Sequence, residues 1–159
     1  MIETPCLLDT DTLSYIFKGR EPVHTVSLHY LQRYEEFSIS CITFYECLRG
    51  HLANNATKRV DDFYSFLMFA DIIYLDRPII EMAAEIYGRL KPQGVLPGDA
   101  DILIAATALV RGKSVVTNNE KHYAAIHEHF ALDVENWMTQ KASFLQQDEE
   151  NTQEGIREE

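Results

Sequence analysis

At 159 residues, 46% hydrophobic and 25% charged, the chain is long enough for one domain with a real core and ordinary enough in composition to be globular. A net charge of −11 excludes a grip on nucleic acid through a broad basic surface, while leaving room for a local basic rim around an acidic centre. No apolar run approaches the roughly 18 residues of a membrane span. The N-terminus enters Thr4-Pro5-Cys6-Leu7-Leu8 without a basic region, so a cytoplasmic protein with no membrane association is expected.

The first apolar run predicts a strand over 5–9, followed by a short helix over 14–17. Val23, Val26, Leu28 and Leu31 recur at helical spacing and predict a helix over 23–34. A strand over 37–40 leads into a helix over 43–51. The segment 56–69 carries Val60, Phe63, Tyr64, Leu67 and Met68 on one face and reads as a helix. After a strand over 72–75, Pro78 suits the first turn of a helix running to residue 90. The alanines and leucines of 99–111 predict a further helix, which Gly112 closes. Strands over 114–117 and 132–134 complete the set, and Trp137 is expected to anchor the last element to the core.

Alternation of this kind implies an α/β fold, a three-layer sandwich whose mostly parallel, roughly five-stranded sheet is flanked by helices. The folded domain is assigned to 1–140. Residues 141–159 hold two basic and six acidic groups with no apolar period, an acidic C-terminal extension expected to be mobile. Cys6, Cys41 and Cys47 are odd in number and sit among apolar residues, so they are expected to be reduced core residues.

In parallel sheets ligands gather beyond the carboxyl ends of the strands. Asp9 ends the first strand, Glu46 lies on the helix after the second, Asp99 and Asp101 open a helix, and Asn118 and Asn119 follow the strand over 114–117. All fall on one predicted edge. Carboxylates this dense repel one another unless a cation lies between them, and a hard divalent cation with oxygen ligands is the usual reason to assemble them. Each also has a plainer role. Asp9 or Asp11 can cap a helix, Thr43-Phe44-Tyr45-Glu46 is a capping box, Asp99 can cap the helix that Asp101 complements with its charge, and the asparagines can form a turn. His122, His127 and His129 match no usual zinc spacing. Lys18 and Arg49 follow the acidic strand ends closely enough to reach a phosphate backbone.

Taken together these motifs resemble the PIN-domain nucleases, and within them the VapC-like toxins of toxin–antitoxin pairs. Leu7-Leu8-Asp9-Thr10-Asp11, the run from Ile39 to Gly50 around Glu46, Gly98-Asp99-Ala100-Asp101 with the apolar run after it, and Val116-Thr117-Asn118-Asn119 with His122-Tyr123 carry the likeness. The resemblance implies a parallel sheet, RNA as substrate, Mg2+ or Mn2+ as cofactor, a cognate antitoxin as partner and a homodimer. It casts Asp9, Glu46 and Asp101 as core acids and Asp99 as a frequent additional one, all four as metal ligands. Asn119 stands where many members have a fourth aspartate, as a neutral group that orients water or phosphate. Two other readings stand beside this one. The fold could serve as an inactive binding module. Alternatively, Asp9-Thr10-Asp11-Thr12 could open a phosphatase of the haloacid dehalogenase type, with Asp9 as nucleophile.

Overall fold

The computed structural model describes residues 5–139 together with 145 and 146. Its strands are β1 (Cys6–Leu8), β2 (Phe37–Ser40), β3 (Ala70–Ile73), β4 (Ser114–Val116) and β5 (Val134–Glu135). Its helices are α1 (Thr10–Phe17), α2 (Val23–Tyr34), α3 (Cys41–Ala53), α4 (Thr57–Phe66), α5 (Arg77–Leu90), α6 (Asp99–Arg111) and α7 (Glu120–Phe130). All the pairings are parallel. β1 pairs with β4 through Cys6↔Ser114 to Leu8↔Val116, β4 pairs with β5, and β2 pairs with β3 from Phe37↔Ala70 to Ser40↔Ile73. β1 lies beside β2, so the strands run β3-β2-β1-β4-β5 across the molecule, with the hydrogen-bonded ladders meeting as sets of two and three.

Alternation along β1 generates the layers. Successive side chains of a strand point to opposite faces. Leu7 joins Ile79, Ile86 and Leu90 of α5, Ile104 and Ala105 of α6, and Tyr123 and Ile126 of α7 in one buried cluster. Its neighbours Cys6 and Leu8 join Leu13, Val23, Tyr30 and Phe63 of α1, α2 and α4 in the other. Trp137, 1% exposed, is buried in this second cluster, as expected of an anchor. Leu145 packs partly against the same cluster; of the acidic extension only residues 145 and 146 belong to the described residues.

Several boundaries shift. The third strand begins at Ala70, two residues before the expected start. The helix expected over 56–69 ends at Phe66, and Leu67–Phe69 tightens into a 3-10 turn. α7 was not expected, because only Tyr123 and Ile126 are buried along it and its three histidines hide the apolar stripe. The capping box is not formed. α3 starts at Cys41 and is capped by Ser40, whose hydroxyl accepts the Thr43 N–H at 3.0 Å, so Glu46 lies in the second turn. Gly98 rather than Asp99 is the N-cap of α6, with no side-chain cap. Of the three cysteines, Cys6 and Cys47 are buried, while Cys41 at the start of α3 is partly exposed.

Candidate active site

The carboxyl ends of β1 and β4 and the starts of α1 and α6 meet at one edge. Asp9 leaves β1 with its N–H bonded to the Val116 carbonyl at 2.9 Å and becomes the N-cap of α1. Its carboxylate is 8% exposed and fully engaged. Oδ1 accepts the Thr10 N–H at 2.7 Å, and Oδ2 accepts the Thr117 hydroxyl at 3.1 Å and the Tyr123 hydroxyl at 3.0 Å. Asp9 is therefore both cap and site residue, the two roles being compatible because an N-cap side chain sits at the strand end.

Glu46 approaches from α3. Its Oε1 accepts the Thr10 hydroxyl at 3.0 Å, and Arg49, lying over the Tyr45 ring, reaches Oε2 at 3.9 Å. Asp101 enters from the first turn of α6, its Oδ2 3.3 Å from Nδ1 of His122 on α7. Burial chiefly pushes the Asp101 carboxyl above the usual range, and the charges of Asp9 and Glu46 push it further, against the pull of His122 and a Tyr123 hydrogen bond. Asp101 thus feels the charge of both other expected core acids. Tyr123, buried among them, has its phenol raised by burial first and by Asp9 and Asp101 next. The Cys47 thiol is pushed up to about 12, by burial and then by Glu46 and Asp9, so it stays neutral beside the acids.

Asp11 belongs to the same edge. Burial, then the nearby Asp9, raises its carboxyl, while Oδ1 accepts the Thr12 N–H at 2.7 Å and Oδ2 accepts the Asn118 N–H at 3.0 Å and the Asn119 amide at 3.1 Å. Asn119 is thereby placed at the site, with one amide N–H directed to a carboxylate. Asn118 donates its side-chain amide to the Tyr15 hydroxyl at 3.1 Å. Asp99 stands apart. It is exposed and forms no hydrogen bond or ion pair among the described residues. Residues two apart on a helix do not face the same way, and Asp101 takes the inward position.

Asp11, Tyr123 and the hydroxyls of Thr10 and Thr117 were not among the expected site residues. The Asp-x-Asp spacing at the strand end was the available signal for Asp11. For Tyr123 it was the i, i+3 pairing with Ile126. Among the described residues, no three Asp, Glu, His or Cys side chains already stand as a ligand set around one point. The donor chemistry nonetheless suits a hard cation. Asp9, Glu46 and Asp101 supply oxygen only, and the basic side chains touching them, Arg49 and His122, are both exposed. Among the described residues no helix is long and apolar enough to cross a membrane.

Comparison with known proteins bears on the family and the fold. The PIN domain family model matches residues 6–127. The chain is 33% identical over 132 residues to ribonuclease VapC1 of Methanocaldococcus jannaschii, covering 83% of this chain and 88% of that protein. Among solved structures, VapBC2 from Rickettsia felis, bound to a DNA fragment from their promoter, superposes with a TM-score of 0.74 at 25% identity, covering 84% of this chain and 99% of that one. A toxin–antitoxin complex from Klebsiella pneumoniae matches with a TM-score of 0.59 at 25% identity, over 76% of this chain and 92% of that one.

Proposed function

This chain belongs to the PIN-domain family, in its VapC branch, and from that premise we propose that it is a metal-dependent endoribonuclease, the toxin of a toxin–antitoxin pair. The observation that carries the reading is the gathering of Asp9, Glu46 and Asp101 at one strand edge, where Thr10 bonds both Asp9 and Glu46 and the Asp101 carboxyl is raised chiefly by burial and further by the other two acids. A fold keeps such a group when something else neutralises it at work.

Asp9 and Asp101 would hold Mg2+ or Mn2+, with Glu46 completing its surroundings and Asp99, exposed and turned away, reaching it only through water. When bound, the ion supplies Lewis acidity toward water and toward charge developing on the phosphate. The protein's own groups do the rest. Glu46, its Oε1 held by the Thr10 hydroxyl, accepts a proton from the attacking water. The Tyr123 and Thr117 hydroxyls fix the Asp9 carboxylate in one orientation. The Asn118 N–H and Asn119 amide hold Asp11 behind it.

A cytoplasmic antitoxin is the expected partner, by likeness to the toxin–antitoxin complex, and a homodimer is the expected assembly. Nothing in the site favours the phosphatase reading, since Glu46 would have no part in an aspartyl-phosphate mechanism and Asp101 follows Asp99 too closely for the late acidic pair of such enzymes.

Purified protein incubated with cellular RNA and Mg2+ or Mn2+ is expected to produce discrete new RNA ends on sequencing, and none with EDTA. RNA left intact in both metals would sink the proposal. Tyr123→Phe should cut kcat about tenfold with KM nearly unchanged, because it removes only the hydroxyl that orients Asp9. Measured kcat equal to wild type would deny Tyr123 that positioning role.

A further inference from the structure

Between α1, α3 and α4 a cavity of about 490 Å3 opens directly beside Glu46, within the range of about 300–1,000 Å3 common for ligand sites. Thr10 and Glu46 of the acidic site line it, together with Phe17, Lys18, Lys58 and Arg59. Charge on this wall is unlike the chain's average. In a protein of net charge −11, three cations converge on one recess. Three exposed arginines elsewhere are committed: Arg77 to Glu81, Arg89 to Glu85 and Arg111 to Asp76. Lys18, Lys58 and Arg59 form no ion pair among the described residues. Asp62 is the remaining acid on the wall besides Glu46.

Phe17 adds a second kind of contact. It is 38% exposed, yet its ring is held edge-on by Phe63 at 6.1 Å and Phe66 at 5.3 Å between centroids. A fixed aromatic ring with free surface, framed by unpaired cations, is the combination that takes single-stranded nucleic acid: the base stacks and the backbone phosphates meet the charges. An A-form duplex keeps its bases stacked inward and cannot enter such a recess.

We propose that this cavity is the subsite for an unpaired RNA nucleotide next to the scissile phosphate, its base on Phe17 and its backbone phosphates at Lys18, Lys58 and Arg59. The inference rests on the ribonuclease reading and adds to it the side chains that seat the nucleotide.

The test uses the full chain carrying Asp9→Asn, with Mg2+, and a fluorescein-labelled single-stranded RNA of mixed sequence read by anisotropy. Adding Lys58→Ala with Arg59→Ala is expected to weaken binding about tenfold at low salt. It should also reduce the slope of log affinity against log salt by about 1.4, since each phosphate contact on a single strand contributes about 0.7. Phe17→Leu should weaken binding about fivefold or more while leaving the salt slope unchanged, because stacking releases no counterions. Unchanged affinity and slope in the double variant would overturn the subsite; cleavage by the wild type, lost in Asp9→Asn, would leave the nuclease reading standing. Wild-type protein that binds RNA with these dependences but cuts none would do the reverse. If the double variant binds RNA normally but escapes its antitoxin, the recess belongs to the antitoxin peptide and the proposal fails.

Discussion

Asp9→Asn is expected to lower RNA cleavage about a thousandfold, the scale of several kcal/mol of lost transition-state stabilisation, while leaving the fold intact. Asparagine has the aspartate's shape. Its carbonyl can keep the Thr10 N–H that caps α1, and its NH2 then faces the Thr117 and Tyr123 hydroxyls, which accept as readily as they donate. Every contact survives in some form, and the negative charge alone is removed. The melting temperature should therefore stay within a few degrees of wild type as the rate collapses. Steady-state cleavage of one RNA, with thermal unfolding of the same samples, separates the outcomes. A variant that keeps a third or more of the activity would remove Asp9 from the reaction. A variant that no longer melts cooperatively would show that its role is structural.

Local signals in the sequence were strong where one physical rule acted alone. α2 and α6 have the expected bounds because apolar spacing runs through both without interruption and Gly112, at φ 62°, ends α6 in the left-handed conformation. β2 matches too, its four residues all buried. Errors arose where two local rules competed. Thr43 and Glu46 fit a capping box, but Ser40 lies at the strand end and takes the Thr43 N–H first. For Gly98 and Asp99 the choice of cap was such a case: Asp99 suits the position, but the helix begins at it and Gly98 is the N-cap.

The site itself needed both local and distant information. Asp9 and Asp101 were legible from their places at the ends of apolar runs. The shell around them was not, because it depends on sheet register. Pairing of Leu8 with Val116 brings Thr117, Asn118 and Asn119 against Asp9 and Asp11, residues more than 100 positions away in the chain. Tyr123 reaches Asp9 only because α7 folds back over the end of β4. That geometry explains why a neutral Asn119 is tolerated at this edge: its amide meets a second aspartate, Asp11, and a further carboxylate there would add repulsion to a carboxyl already raised by burial and by Asp9.

This strain predicts opposite effects of Asp101→Asn on stability with and without metal. Asp11 and Asp101 both have carboxyls raised above the ordinary 3.8, so each holds its proton more tightly in the folded than in the unfolded chain. Stability from such groups is present below the unfolded value and is lost as pH rises through the folded one. At neutral pH the metal-free protein therefore carries a penalty at Asp101, and Asp101→Asn is expected to melt higher than wild type in EDTA. The difference should close as pH falls below the unfolded value, where the carboxyl is protonated in the folded and the unfolded chain alike. Divalent cation reverses the ranking. At a hundredfold excess over its dissociation constant, a ligand bound only by the folded state stabilises by about 2.7 kcal/mol. For a chain of this length that corresponds to a rise of about 5 to 10 °C. Wild type should show that rise with Mg2+ or Mn2+, and Asp101→Asn most of its loss. Melting curves in EDTA and in each metal, across the acidic to neutral range, decide the matter. Equal shifts in the two proteins would remove Asp101 from the ligand set, and no shift in wild type would mean that the acids are strained for some reason other than an ion.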